Sequence, residues 1–162
     1  MIPIKTVLIS VSDKSGLIDL VAYFFRRNIT MIATGGTARF ILESGYPVKE
    51  VSEVTGFPEI LGGRVKTLHP IIEGGILARR DLAQDMEDLS FHHIHPIDCV
   101  VCNLYPFEKM MASGEKSLDK VVEEIDIGGI TLLRASAKNF KHVVILSSPD
   151  QYPSFIEELE KN

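Results

Sequence analysis

No apolar run in this chain approaches the ~20 residues that a bilayer-crossing helix needs, so no membrane partner is expected. The opening Met1-Ile2-Pro3-Ile4-Lys5 lacks the basic-then-apolar design of a secretion signal. A cytoplasmic setting is the expectation. A cationic excess is missing as well: 17 Lys and Arg against 22 Asp and Glu leave a net charge of −5. A general nucleic-acid binder is usually basic, so no nucleic-acid partner is expected. Cysteine is scarce. Cys99 and Cys102 form a C-x-x-C with His92, His93 and His95 nearby, which invites a metal or redox reading. Yet Ile97 to Leu104 reads as a buried strand, where positions three apart point to opposite faces. Thiols so placed cannot grip one ion, so neither metal nor disulfide is expected. Internal repeats, low-complexity segments and long linkers are also lacking. With 162 residues, one domain over 1–162 is expected.

What is present is an alternation of apolar runs and amphipathic stretches. Thr6–Val11, Thr30–Ala33, Val48–Val51, Ile97–Leu104 and Val143–Leu146 read as strands. Helices are predicted over Gly16–Arg27, through Phe40 and Leu42 to Gly45, over Gln84–Leu89, Leu118–Ile125, Ile130–Lys138 and Pro149–Glu160. The segment from Ser52 to Gly75, rich in glycine and proline, reads as loop with short turns, and Ile76–Ala78 as a short strand. Strands alternating with helices predict an α/β fold, a doubly wound and mainly parallel sheet with helices on both faces. Ligands of such sheets bind beyond the carboxyl ends of the strands.

The polar motifs fall where that rule puts them. Ser12-Asp13-Lys14 follows the first strand, Thr34-Gly35-Gly36-Thr37 the second, and Asn103-Leu104-Tyr105 the central one. Free N–H groups at a helix start, with threonine hydroxyls, suit a phosphate. In Gly62–Pro70, Arg64, Lys66 and His69 crowd beside Thr67 behind two glycines. Four cations (Arg64, Lys66, Arg79, Arg80) face one acid, Glu73, between Gly62 and Arg80. Local positive charge in an acidic chain suits a discrete anion. Asp126 precedes Gly128-Gly129 in a similar arrangement with a carboxylate, although an aspartate at a helix start is usually a cap. Thr131, Arg134 and Lys138 share one helix face, either a solvated basic stripe or a proton-transfer site. His69 reads evenly as ligand contact or structural hydrogen-bonding group.

Taken in order, eight segments resemble the IMP cyclohydrolase domain of the bifunctional purine biosynthesis family, with its methylglyoxal-synthase-like three-layer sandwich. They are Ser10–Lys14, Thr34–Thr37, Thr55–Pro58, Gly63–Pro70, Gly75–Arg79, Asn103–Phe107, Ile125–Gly129 and Arg134–Asn139. The resemblance implies a hydrolase of the cyclic-amidine class. It would close 5-formamidoimidazole-4-carboxamide ribonucleotide to IMP, the last step of de novo purine synthesis, with no cofactor. It implies a nucleotide site lined by Ser12, Asp13, Lys14, Thr34, Gly35, Gly36, Thr37, Arg64, Val65, Lys66, Thr67, Cys102, Asn103, Asp126 and Ile127. Lys66, Tyr105, Asp126 and Lys138 are implied in catalysis, with Lys66 and Lys138 serving one pocket.

Family proteins form dimers and continue into a formyl-transferring (transformylase) domain. A homodimer is therefore expected, and the transformylase part lies outside these 162 residues. Ile71 and Glu73 depart from the family, standing where many members carry lysine and histidine. A regulatory nucleotide-binding domain without catalysis and a phosphate-eliminating lyase are the competing readings.

Overall fold

The computed structural model describes residues 2–104 and 117–161. Tyr105, expected in catalysis, lies outside them. Strands β1 (Thr6–Val11), β2 (Thr30–Ala33), β3 (Lys49–Glu50), β4 (Cys99–Asn103) and β5 (Val144–Leu146) form one sheet in the order β3-β2-β1-β4-β5. Every pairing is parallel. The helices are α1 (Leu17–Arg26), α2 (Gly35–Glu43), α3 (Val51–Thr55), α4 (Pro70–Leu77), α5 (Ala83–Phe91), α6 (Leu118–Glu123), α7 (Gly128–Lys138) and α8 (Tyr152–Glu160).

Strand periodicity divides the core into two faces. Val7, Ile9 and Val11 of β1, with Cys99 and Val101 of β4, pack with Leu17, Leu20 and Phe24 of α1 and Tyr152 of α8. Leu8, Val100 and Cys102 point the other way, against Ile72 and Ile76 of α4 and Leu132 of α7. A sheet buried on both faces needs near-continuous apolar strands, which is why β1 reads Val-Leu-Ile without polar alternation. The two thiols are buried in opposite layers, as the three-residue spacing requires.

The predicted loop 52–75 is partly helical. Val51 starts α3 rather than ending β3, and its first turn is closed by a capping box between Glu50 and Glu53. Ile76–Ala78, expected as a strand, is the end of α4. Pro70 takes the first helical position, and the His69 ring nitrogen Nδ1 accepts from the Ile71 N–H at 3.2 Å. His69 therefore serves as a cap here. Gly74-Gly75 weakens the helical pattern, but packing demands it. A Cβ on Gly75 would lie 2.7 Å from the His95 carbonyl oxygen.

At the amino end of the sheet, Asp98 is the fastener. Its carboxylate accepts from the backbone N–H groups of Lys5 (2.7 Å) and Thr6 (2.8 Å) and pairs with Arg80. Only 8% of its side chain is exposed. Asp98→Ala would strand a half-buried guanidinium and two amides. We expect a loss of about 3 kcal/mol or more, read as a lower midpoint in urea unfolding. A midpoint unchanged from wild type would refute the fastener role.

Candidate functional site

The connections from β1 run outward through β2 to β3, and the chain then crosses to β4 on the other side. The crevice between the carboxyl ends of β1 and β4 is therefore the switch point of the sheet. Val11 pairs there with Asn103. The Asn103 side chain spans it: Oδ1 accepts from the N–H groups of Ser12 and Asp13, both at 2.8 Å, and Nδ2 donates to the Asp13 carbonyl at 2.8 Å. Asn103 is thus a brace for the β1–α1 loop, with three of its four hydrogen-bonding positions used. Lys14 leaves this loop toward α2, its Nζ 5.9 Å from the Phe40 ring centre.

The next wall is the glycine turn before α2. Thr34 caps the helix without a side-chain bond, and its hydroxyl donates to Ser10 Oγ at 3.2 Å. The Thr37 hydroxyl is 97% buried by residue and is tied to the backbone of Val11 at 3.2 Å. These hydroxyls fasten α2 to β1. The first-turn N–H groups of Gly35, Gly36 and Thr37 have no intrahelical partner and face outward from the helix start. That end carries the positive pole of the helix and no acidic residue of its own.

The third wall is a tight hairpin. Ile60 and Val65 bridge antiparallel around a short 3-10 turn, Leu61–Gly63, in which Leu61, Gly62 and Gly63 all have positive φ. The hairpin delivers Lys66 and Thr67. Thr67 is buried, and a Cβ on Gly128 would meet its hydroxyl at 2.7 Å. Gly129 is equally tight against Leu104 and Asp126, and its carbonyl lies 3.7 Å from Cys102 Sγ. Asp126 Oδ1 accepts from the Gly129 N–H at 2.6 Å, so one oxygen acts as the helix cap. Ile127 is exposed beside it.

The loop after β1, the α2 start, the Lys66-Thr67 hairpin and the Asp126–Gly129 turn thus line one edge of the sheet. Two predicted residues are placed otherwise. Arg64 turns outward and pairs with Glu123 of α6 at 2.9 Å, both side chains 60% exposed. Lys138 ends α7, whose start is the part that touches Thr67. At 1.5 Å per residue, the 11-residue helix puts roughly 15 Å between its ends. Lys138 thus lies at the opposite end of α7 from the contact with Thr67.

The basic stretch is also less bare than its sequence suggests. Lys66 faces Glu59 at 3.5 Å, Arg79 is held by Asp85 at 2.8 Å, and Arg80 is held by Asp98. All four cations of Gly62–Arg80 have a carboxylate partner, supplied from outside the local sequence window or from its edges.

Sequence reasoning missed Tyr152 altogether. This first residue of α8 is 2% exposed, and its ring lies against Gly16. Burial raises the phenol pKa, and the nearby Asn103 amide opposes the rise. Among the described residues no hydrogen bond of good geometry reaches the hydroxyl. Nothing in the local pattern marks this tyrosine beyond its place at a helix start.

A cavity of about 830 Å³ lies elsewhere. It opens beside the amino ends of the strands, lined by Lys5, Thr6, Thr30 and Asp98, with Ile71 in its wall. Glu73 is half-buried on α4, and burial raises its carboxyl pKa.

The model of the MGS-like domain matches residues 16–131. The chain belongs to the MGS-like domain family. The bifunctional purine biosynthesis protein PurH of Rippkaea orientalis is 54% identical over 159 residues, 98% of this chain and 31% of that protein. PurH of Xanthomonas campestris pv. campestris is 49% identical over 161 residues, 99% of this chain and 30% of that protein. The chain thus spans about a third of the length of these curated relatives. The crystal structure of ForH superposes with a TM-score of 0.81 at 36% identity, covering 96% of this chain and 78% of that one. The MGS-like domain here is the doubly wound sheet that the strand pattern predicts. Among its described residues no helix is long and apolar enough to cross a membrane.

Two outcomes check this geometry. Asn103→Ala removes three hydrogen bonds to the β1–α1 loop. It should cost about 1–3 kcal/mol and speed hydrogen exchange at the Ser12 and Asp13 amides, with β2 amides unaffected. Burial, aided by the Asp126 charge, pushes the Cys102 thiol up to about 12, and burial likewise raises Cys99. Neither thiol should react with an aromatic disulfide reagent at pH 8 until the protein unfolds. Rapid labelling of the native protein would show the two layers to be open.

Proposed function

We propose that this domain is an IMP cyclohydrolase, closing the second ring of 5-formamidoimidazole-4-carboxamide ribonucleotide with loss of water. The observation that carries the reading is the convergence of four polar segments on the carboxyl edge of the sheet. The curated relatives named as purine biosynthesis proteins support it. The ribose phosphate would lie on the free N–H groups at the start of α2, with Ser12 and Lys14 beside it. The base would extend across the switch point toward Thr67 and Asp126.

The carboxamide nitrogen attacks the formyl carbon and gives up a proton. The formyl oxygen becomes anionic in the tetrahedral intermediate, gains protons and departs as water. Lys66 and Thr67, just past the hairpin bridge, would stabilise that oxygen, as oxyanion donors do. The Asp126 oxygen not committed to Gly129 would orient the carboxamide. Holding both reacting groups of one substrate in contact supplies much of the rate. Tyr105 keeps its assignment as a proton-shuttling residue on the resemblance.

Lys138 takes part in this scheme only if a second copy of the chain brings it to the site. A homodimer then becomes part of the catalytic unit. Lys66→Ala and Lys138→Ala should each lower turnover by about 100-fold or more, with nucleotide binding retained. Ring closure is followed by the ultraviolet change as the purine forms. Mixing the two variants should restore roughly a quarter of wild-type turnover, because half the dimers are mixed and each holds one intact site. No recovery on mixing would remove the shared site. No ultraviolet change with the wild-type protein would remove the cyclohydrolase reading and favour a binding-only domain.

A further inference from the structure

Of the four paired cations, only Lys66 has its partner at the mouth of the proposed phosphate cradle. Glu59 Oε2 is 3.5 Å from Lys66 Nζ. The same oxygen would be 3.6 Å from a Cβ on Gly35, the first residue of α2. Its other oxygen would be 2.7 Å from a Cβ on Gly63, from which Lys66 Nζ would be 3.4 Å. Two glycines from different segments thus leave room for one carboxylate, and that carboxylate lies between the helix start and the lysine. The pair is open to water, with side-chain exposures of 40% for Lys66 and 45% for Glu59. An exposed pair of this kind is weak and readily exchanged.

We propose that Glu59 is a specificity-determining latch: it holds Lys66 in the empty site and is displaced by the phosphate of the incoming ribonucleotide. The inference rests on the cyclohydrolase reading and deepens it. A phosphate on the N–H groups of Gly35, Gly36 and Thr37 would bring its negative charge close to the Glu59 carboxylate. Like charges repel, and the exposed glutamate is the group free to leave. Its departure releases the Lys66 ammonium to turn toward the reacting oxygen. A ligand without a phosphate would leave the latch closed, so charge in one part of the substrate licenses the lysine in another. No bond is made or broken in this step; one ion pair is exchanged for another.

The probe is inorganic phosphate, used as a competitive inhibitor of ring closure by the full chain. In Glu59→Gln the competing charge is gone and the shape is kept. Phosphate should inhibit roughly two- to fivefold more tightly, the range an exposed charge interaction supports. The KM for the ribonucleotide should fall by a similar factor with kcat held. Glu59→Asp should restore wild-type phosphate inhibition.

Equal or weaker phosphate inhibition in Glu59→Gln overturns the latch. So does a fall in kcat at constant KM, which would place Glu59 in the chemical step. Wild-type turnover without any competition by phosphate also overturns the latch and leaves the cyclohydrolase reading standing. Absence of wild-type turnover removes both.

Discussion

The brace made by Asn103 is the constraint on which the rest of the site depends. A parallel sheet separates its two halves at the switch point, and nothing in the ladder itself fixes the loops that diverge there. Here one amide side chain, 8% exposed, satisfies both faces of the β1–α1 loop. Three hydrogen bonds of 2.8 Å convert a mobile connection into a fixed rim. Ser12 and Lys14 can then be aimed. Thr37 does the same on the other side by tying α2 to Val11. The Thr34 and Thr37 hydroxyls and the Asn103 amide, which read as ligand contacts, are spent on holding the scaffold.

Close approach is the second constraint. The start of α7 meets Thr67 only because Gly128 carries no Cβ, and it closes on Leu104 and Asp126 only because Gly129 carries none. The hairpin, in turn, needs positive φ at Leu61, Gly62 and Gly63 to reverse within three residues. Leucine at φ 55° is strained, and it stands in the turn of the hairpin that leads into Lys66. The same short segment therefore sets both the position of the lysine and the width of the cradle mouth.

Much of this was legible in the sequence. The continuous apolar runs of β1 and β4 announce strands buried on two faces, and the motifs follow their carboxyl ends. The opposite orientation of Cys99 and Cys102 follows from period two alone. α4 escaped because its glycines, required by packing on His95 and Ile94, mimic loop composition. The pairing of each cation in Gly62–Arg80 escaped because three of the carboxylates, Asp85, Asp98 and Glu123, come from later in the chain. The family resemblance implies Asp126 and Lys138 in one site, and they stand only twelve residues apart in the sequence. A helix converts that proximity into distance, and only the rise per residue reveals it.

A second cleft lies at the opposite edge of the sheet from the proposed site. The large cleft at the amino ends of the strands is lined by Lys5, Lys49, Arg80 and Lys141, which gives it the look of an anion site. In a parallel α/β sheet, however, helices that run back across the sheet end near that edge, and helix ends carry the negative pole. Cations there complement the helix carboxyl termini, as Arg26 does at the last turn of α1 and Lys138 at the last turn of α7. Asp98 claims Arg80 as well. At the other edge the helices begin, the poles are positive, and α2 has no acid in its first turn. There the start of α2 presents a positive field, and the Glu59 carboxylate, reaching in from the hairpin, stands across its mouth.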